Sequence, residues 1–336
     1  FTSVFLGAHL ISLMRMAEKY HLSVSYILQL LSLMIPQNLT YGASISVLLA
    51  VLLGIGNLSS HSETVAMRAG GLSYIKLATP ILIVGLSVSI FGVVLNEYVV
   101  PISLQTYERL KVEAISKEAS GTIYQFNKVF QDKDVEKLIY ADTYEPKGKQ
   151  FRNLLIQELV RGKLQRTISA SAMYWDGKGW YFTQAQIYQY TNDSFFPITV
   201  NKGRVNYDLN ITPKDIEQFN TDPEDQSITE LHHYIEKFGH GVERQQLLVD
   251  FHNKLAIPFA SLVFAILGTP LALRMQRRGN AAGFGLCIIY IIVWYAFMGI
   301  GGSLARGGSI PAFLGAWLPN IVLTGYGLFV FVKVKS

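Results

Sequence analysis

Two long runs without Asp, Glu, Lys or Arg, Tyr20 to Ser62 and Leu77 to Asn96, flank a short polar stretch, SSHSETVAMRAGG (59–71). Each run can hold a membrane span, which takes roughly 20 apolar residues. Three more uncharged runs follow, Leu255 to Leu273, Gly279 to Ala305 and Gly307 to Val332. Phe1 to Met14 is also apolar and uncharged. It is short for a span and is expected to be the outer part of a first span that begins ahead of Phe1; a signal peptide would carry a charged leading region and a small-residue cleavage site. The pattern thus predicts an α-helical membrane protein with six transmembrane helices. Helices 1–3 fall in residues 1–103, with helix 1 truncated and a short polar helix over 60–71, and helices 4–6 fall in 241–336.

Charged residues crowd between Glu97 and Lys254, which predicts an inserted soluble domain over 104–240. KLIYADTYE (137–145), NLLIQELV (153–160), LQRTISASAMYW (164–175) and GWYFTQAQIYQY (179–190) are rich in β-branched and aromatic residues and partly alternate, as half-buried strands do. WDGKGW (175–180) reads as a hairpin turn in which glycines supply positive φ. Ser227-Ile-Thr-Glu230 is a capping box opening a helix, LHHYIEKF, that Gly239 can end. An all-β sandwich or jelly roll with a helical return to the membrane is expected.

Composition adds orientation. A net charge of +5 is explained by basic residues at membrane boundaries and does not require nucleic acid. If the chain enters from the cytoplasm, inner loops and tail hold Arg68, Lys76, Arg274, Arg277, Arg278, Lys333 and Lys335, against Arg15, Lys19 and Arg306 in short outer loops. That bias places the polar stretch inside and the inserted domain outside. The lone cysteine, Cys287, falls in the fifth span, so the insertion folds without internal disulfides.

Catalytic signatures are absent. The chain holds no GxxxxGK[ST], HExxH, GxSxG or paired-cysteine motif, and no metal site is expected. His232 and His233 are neighbours on the predicted helix with His240 after it, a spacing that does not converge on a metal. Asp142 is expected on the solvent face of a strand, with Asp176 and Glu224 in turns. A lipid-modifying enzyme would need a cluster of ionisable groups near the bilayer, and the spans offer none.

Several segments resemble the lipopolysaccharide-export permease family (LptF/LptG, or YjgP/YjgQ). LSSHSETVAMRAGG is similar to its cytoplasmic coupling segment and NEYVVP (96–101) to the end of its third span. ITPKDIEQFNTDPEDQSITELHHYI (211–235) is similar to its exit from the β domain, KLAIPFASLVFAILGTPLAL (254–273) to its fourth span and AFLGAWLPNIVL (312–323) to its sixth. The resemblance implies an inner-membrane, multi-pass, non-catalytic subunit of an ABC exporter. It would pair with a second permease of the family and be driven by a dimeric cytoplasmic ATPase that carries ATP and Mg, so this chain itself has no cofactor. It would extract lipopolysaccharide from among membrane lipids and pass it to periplasmic bridge proteins with β-jellyroll domains. A scaffold whose outer domain only docks partners, and a permease for another anionic lipid, are the alternatives.

Candidate residues follow from spacing and resemblance together. On a helix, Glu63, Met67 and Gly70 share one face with Ala66 beside them, and Arg68 and Gly71 complete the segment. The resemblance makes Glu63 the residue that enters the ATPase groove. Ser60-His61-Ser62-Glu63 also reads as a capping box, so Glu63 has two roles open to it. Arg15 and Lys19, at i and i+4, together with Lys254 and Arg306, are candidates for an anionic lipid headgroup, against ordinary interfacial snorkelling. Pro36, Pro80, Pro258 and Pro270 are expected to kink or end spans. Gly299, Gly301 and Gly302 are candidates for a lateral gate, since the family's first and fifth spans form one.

Overall fold

A computed structural model of the chain describes residues 2–116, 126–132, 135–145, 148–191, 194–209, 211–213, 215–216, 222–239, 241–274 and 280–335. Arg277, Arg278, Gly279 and His240, used above, lie outside the described residues. The chain divides into two compact units, Phe1–Lys111 with Pro223–Ser336, and Val112–Asp222. The limits of 104 and 240 read from sequence are corrected accordingly. The helix of the third span runs on past residue 104, and the chain from Pro223 onward is hydrogen-bonded into the helical unit.

The helices, in chain order, are α1 (Thr2–Lys19), α2 (Val24–Leu33), α3 (Ile35–Ser60), α4 (Glu63–Ala69), α5 (Tyr74–Val94) and α6 (Val100–Ser116), with a π-helical turn, Leu95–Val99, joining α5 to α6. After the insertion come a 3-10 turn (Pro223–Asp225), α7 (Ile228–Phe238), α8 (Gly241–Leu273), α9 (Asn280–Arg306) and α10 (Ala312–Lys335). Among the described residues, five helices are long and apolar enough to cross a membrane: α3, the continuous Tyr74–Lys111 helix, α8, α9 and α10. α1 is helical as expected but is not one of those five.

The run from Tyr20 to Ser62 contains a break that its composition hides. Ser23 caps α2, its hydroxyl accepting from the Tyr26 N–H, and α2 stops at Met34. Pro36 then occupies the first turn of α3, where its missing N–H costs nothing.

α8 is the hub, packing against α3, α5 and α10. Leu48 and Leu52 of α3, Phe264 and Leu267 of α8, Cys287 and Trp294 of α9 and Leu323 of α10 form one buried cluster. Lipid tails are as apolar as leucine, so close approach and interhelical hydrogen bonds hold such helices together. A Cβ on Gly85 would lie 2.7 Å from the Ala265 Cβ, so α5 and α8 touch nearly backbone to backbone. Ser44 Oγ is 2.8 Å from Ser261 Oγ. Trp294 Nε1 donates to Asn320 Oδ1 at 3.0 Å, and Asn320 Nδ2 donates to the Ala256 carbonyl at 2.7 Å. Ile83, Ile292 and Phe329 are exposed on the outside of the bundle, as lipid-facing residues are.

The inserted unit is a six-stranded antiparallel sheet of β1 (Phe126–Asp132), β2 (Val135–Glu145), β3 (Gln150–Val160), β4 (Lys163–Trp175), β5 (Trp180–Thr191) and β6 (Ser194–Tyr207), each strand paired with its chain neighbours. The inserted all-β domain is therefore present, as a sequential meander. The crossovers that define a jelly roll are not among the described strands. Four of the strands coincide with the segments read from sequence; β1 and β6 were missed. One face is filled by Ile139, Tyr144, Phe151, Ile156, Ile168, Trp180 and Phe182, all buried. At the 175–180 turn, Gly177 takes φ +96°, and Asp176 Oδ1 accepts the Lys178 and Gly179 N–H groups, each at 2.9 Å. One glycine and one aspartate make this turn, rather than two glycines.

A charged network pins β3 to β4 and β6. Arg166 donates twice to Glu158, at 2.8 and 2.9 Å, and Tyr207 Oη donates to Glu158 at 2.8 Å. Burial alone would raise the Glu158 carboxyl, but hydrogen bonds from Arg166 and Tyr207 and the charges of Arg166 and Lys137 outweigh it, holding it below the usual range. A depressed folded pKa gives stability that is fully present above the unfolded value of about 4.3 and is lost as pH falls through the folded value. Protection factors of the β3 and β4 amides in the full chain are therefore expected to fall below about pH 4.3, and Glu158→Gln to flatten that acid dependence. At pH 7, Glu158→Ala should cost about 1–3 kcal/mol, less than a fully buried pair because the Arg166 side chain is 42% exposed.

Candidate functional site

α4 is built differently from the reading that made Glu63 a cap. Ser60 belongs to the last turn of α3, where its hydroxyl donates to the Asn57 carbonyl at 2.8 Å. His61 Nδ1 lies 2.9 Å from the same carbonyl. The N-cap of α4 is Ser62, in the left-handed region at φ 60°, with no side-chain cap hydrogen bond. The Ser60–Glu63 capping box is therefore overturned: Ser60 is spent in the last turn of α3, and Ser62 takes the N-cap position of α4. Glu63 becomes the first residue of α4, exposed, and among the described residues its carboxylate makes no hydrogen bond or ion pair.

The other end of α4 is closed. Gly71 takes φ +90°, while the Leu72 N–H donates to the Met67 carbonyl at 3.1 Å and the Gly71 N–H to that of Arg68 at 2.9 Å. This pair of bonds is a Schellman stop, so Gly71 is needed for its backbone. Gly70, at φ −76°, is not. Thr64 is buried, and Glu63, Ala66, Arg68 and Gly70 are exposed with Met67 partly so. The Arg68 guanidinium lies 3.9 Å from the Tyr74 ring centre, a cation–π contact that holds the planar cation at the end of α4.

The headgroup candidates separate into two pairs. Lys254 and Arg306 line one cavity of about 270 Å³ with Gln37, Tyr41, Asn96, Glu224 and Asp250 among its walls. Arg15 and Lys19 are exposed on α1 and do not line it, with Lys19 lying 5.1 Å from the Tyr20 ring centre. Lys254 does not open its helix, because α8 starts at Gly241; it sits well inside. Its ammonium donates to the Glu224 carbonyl at 2.7 Å, and Arg306, the last residue of α9, donates to Asp250 at 2.6 Å. Both cations thus already have acceptors, and an anion entering the cavity would have to compete with them.

The cavity and α4 lie at opposite ends of α3. Gln37 and Tyr41 belong to its first two turns, and α4 follows its last residue about 20 positions later, or roughly 30 Å along the axis. On the α4 side, Ser59 Oγ donates to the Leu273 carbonyl at 3.2 Å, holding the ends of α3 and α8 together.

The glycine cluster divides as well. A Cβ on Gly301 would lie 2.3 Å from the Gly315 carbonyl, and one on Gly315 would lie 2.4 Å from the Ala305 Cβ. Gly301 therefore seals α9 against α10, while Gly299 and Gly302 face open space. Sequence reasoning did not single out Asn96, Glu97 or Asp250. NEYVVP offered a signal, since a polar pair there ends an uncharged run.

The sequence matches one known family over almost the whole chain. The family model described as lipopolysaccharide export system permease LptF/LptG matches residues 1–333. Among curated relatives, the lipopolysaccharide export system permease protein LptG of Haemophilus influenzae is 25% identical over 306 residues, covering 86% of this chain and 81% of the relative. The LptG protein of Escherichia coli K12 is 23% identical over 300 residues, covering 86% and 80%. With a match this extensive, the multi-pass helical chain with its inserted β unit belongs to the LptF/LptG family of lipopolysaccharide export system permeases.

Proposed function

We propose that this chain is a non-catalytic subunit that converts ATP hydrolysis on a separate cytoplasmic protein into extraction of lipopolysaccharide from the inner membrane. The observation that carries the reading is α4, a short exposed helix that presents the unpaired Glu63 carboxylate. α4 is the socket for a dimeric ABC ATPase, which binds the ATP and Mg. A second permease of the family completes the membrane path. The inserted sheet lies on the periplasmic side and passes the lipid to bridge proteins with related β domains. Such a hand-off has a physical reason: exposing acyl chains to water costs about 0.8 kcal/mol per CH₂, so a lipid with several long chains must stay covered.

Lys254 and Arg306 meet the anionic headgroup in the outer cavity, and Arg15 and Lys19 meet it at the mouth. Lys254→Gln is expected to weaken lipopolysaccharide binding by roughly tenfold, as loss of one hydrogen bond to a charged group does. Reversing both Arg15 and Lys19 to Glu should weaken it too and lower lipid-stimulated hydrolysis. Unchanged binding in both variants would contradict the headgroup role.

The whole reading is tested by reconstituting this chain with its partner permease and ATPase in vesicles containing lipopolysaccharide. ATP-dependent release of the lipid to a soluble β-domain acceptor is the predicted result. A chain that assembles with the others yet confers no lipid-stimulated hydrolysis is a scaffold, and the reading fails.

A further inference from the structure

The π-helical turn between α5 and α6 has no part in the reading above, although π turns inside α-helices are rare and frequently found at functional sites. Val100 N–H reaches back to the Leu95 carbonyl, and Pro101 next to it has no N–H to offer the preceding turn. The two polar side chains of the turn reach different elements. Asn96 Nδ2 donates to the Lys254 carbonyl at 2.9 Å. That carbonyl is orphaned by sequence: its helical donor would be the N–H of residue 258, and residue 258 is a proline. Gly92, one turn earlier, lets α5 close on the kink, since a Cβ there would lie 2.9 Å from the Pro258 Cβ.

Glu97 faces the other way. Its carboxylate accepts the Thr229 hydroxyl at 2.5 Å and the Thr229 N–H at 3.3 Å. Thr229 is in the first turn of α7, where a carboxylate also meets the positive end of the helix dipole. α7 is capped by Ser227, with the reciprocal Glu230 arm in place, and just ahead of the cap lies the 3-10 turn whose Glu224 carbonyl receives the Lys254 ammonium. Gln105 of α6 adds a 3.4 Å bond to the Asp225 carbonyl of the same turn.

We propose that Asn96 and Glu97 are positioning residues for Lys254. From one π-helical turn they fix both ends of that residue, its backbone at the α8 kink through Asn96 and the acceptor of its ammonium through Glu97 and α7. Lys254 is thereby held at the cavity wall while no anion is present. The proposal uses the headgroup reading of Lys254 only for its purpose, not for its geometry.

The test is the rate at which Lys254 is acylated by an N-hydroxysuccinimide ester in the purified full chain, followed by mass spectrometry with exposed Lys76 as the internal reference. Asn96→Ala should make Lys254 react roughly threefold to tenfold faster relative to Lys76, the span that losing one ordinary hydrogen bond allows. Pro258→Ala restores an N–H for the orphaned carbonyl, so Asn96→Ala with Pro258→Ala should return toward the wild-type rate. Glu97→Ala should accelerate the reaction, and Glu97→Gln, which still accepts from Thr229, should not. This second pair carries the test if Asn96→Ala does not fold. Lys254 rates unchanged by Asn96→Ala or Glu97→Ala, or an Asn96→Ala effect that Pro258→Ala does not reverse, would overturn the proposal. Acylation reads the position of Lys254 with no lipid present, whereas Lys254→Gln reads its role toward the lipid, so the two ideas fail separately.

Discussion

Glu63→Gln is expected to leave the chain folded and to lower lipid-stimulated ATP hydrolysis by roughly tenfold or more, because breaking one side of a desolvated, hydrogen-bonded charge pair costs on the order of 2–5 kcal/mol. Within the chain, the carboxylate has little to lose. It makes no hydrogen bond or ion pair among the described residues, and its only intramolecular benefit is its place in the first turn of a seven-residue helix. That favourable dipole contact is worth about 0.3–1 kcal/mol. Unfolding temperature should therefore barely move while coupling falls. A purely structural cap would lose neither stability nor coupling in this variant, since glutamine closes a capping box as well as glutamate does. Hydrolysis and transport at wild-type levels in Glu63→Gln would remove Glu63 from the coupling role.

The largest effect on stability is expected at Gly301. With the Cβ position only 2.3 Å from the Gly315 carbonyl, Gly301→Leu forces α9 and α10 apart, and the contact is backbone, which no rotamer change relieves. Overpacking in a rigid core costs about 1–3 kcal/mol and occasionally more; with main chain on the far side, the upper end or beyond is expected. The neighbouring Trp294–Asn320–Ala256 hydrogen bonds, which tie α9 to α10 and α10 to α8, should loosen with it. Gly299→Ala and Gly302→Ala meet nothing within 4 Å and should be neutral or slightly stabilising, since alanine favours a helix over glycine by about 1 kcal/mol. Thermal unfolding of the three variants in detergent separates the cases. If all three behave alike, Gly301 is not the seal, and the glycines act together as a flexible segment.

What sequence made legible depended on the range of the interaction. The spans follow from uncharged length, and β2 to β5 from β-branched and aromatic runs. The cap of α7 followed from Ser227 and Glu230, three residues apart, and both of its hydrogen bonds are formed. The same four-residue pattern misled at Ser60–Glu63, because whether Ser60 starts a helix or ends one depends on how far α3 extends. The break at Met34 was hidden for a similar reason: α2 and α3 are equally apolar, so composition does not distinguish one helix from two. At the cavity, Lys254 and Arg306 were legible as cations, but their acceptors were not. Asp250 is 56 positions from Arg306 and Glu224 is 30 from Lys254, and only the packing of α8 against its neighbours brings them together. Pro258 was read as a kink, yet the carbonyl it orphans, and the side chain that answers it, appear only in three dimensions.

The proposed entry of force into the permease at α4 has a direct test. A photo-crosslinking residue placed at Ala66 or Gly70, both exposed on α4, and at Ser309, exposed near the opposite end of the bundle, tests it in the assembled complex. Adducts to the ATPase at Ala66 and Gly70, with none at Ser309, are predicted. Adducts at Ser309, or a bare α4 in a complex that hydrolyses ATP, would contradict it.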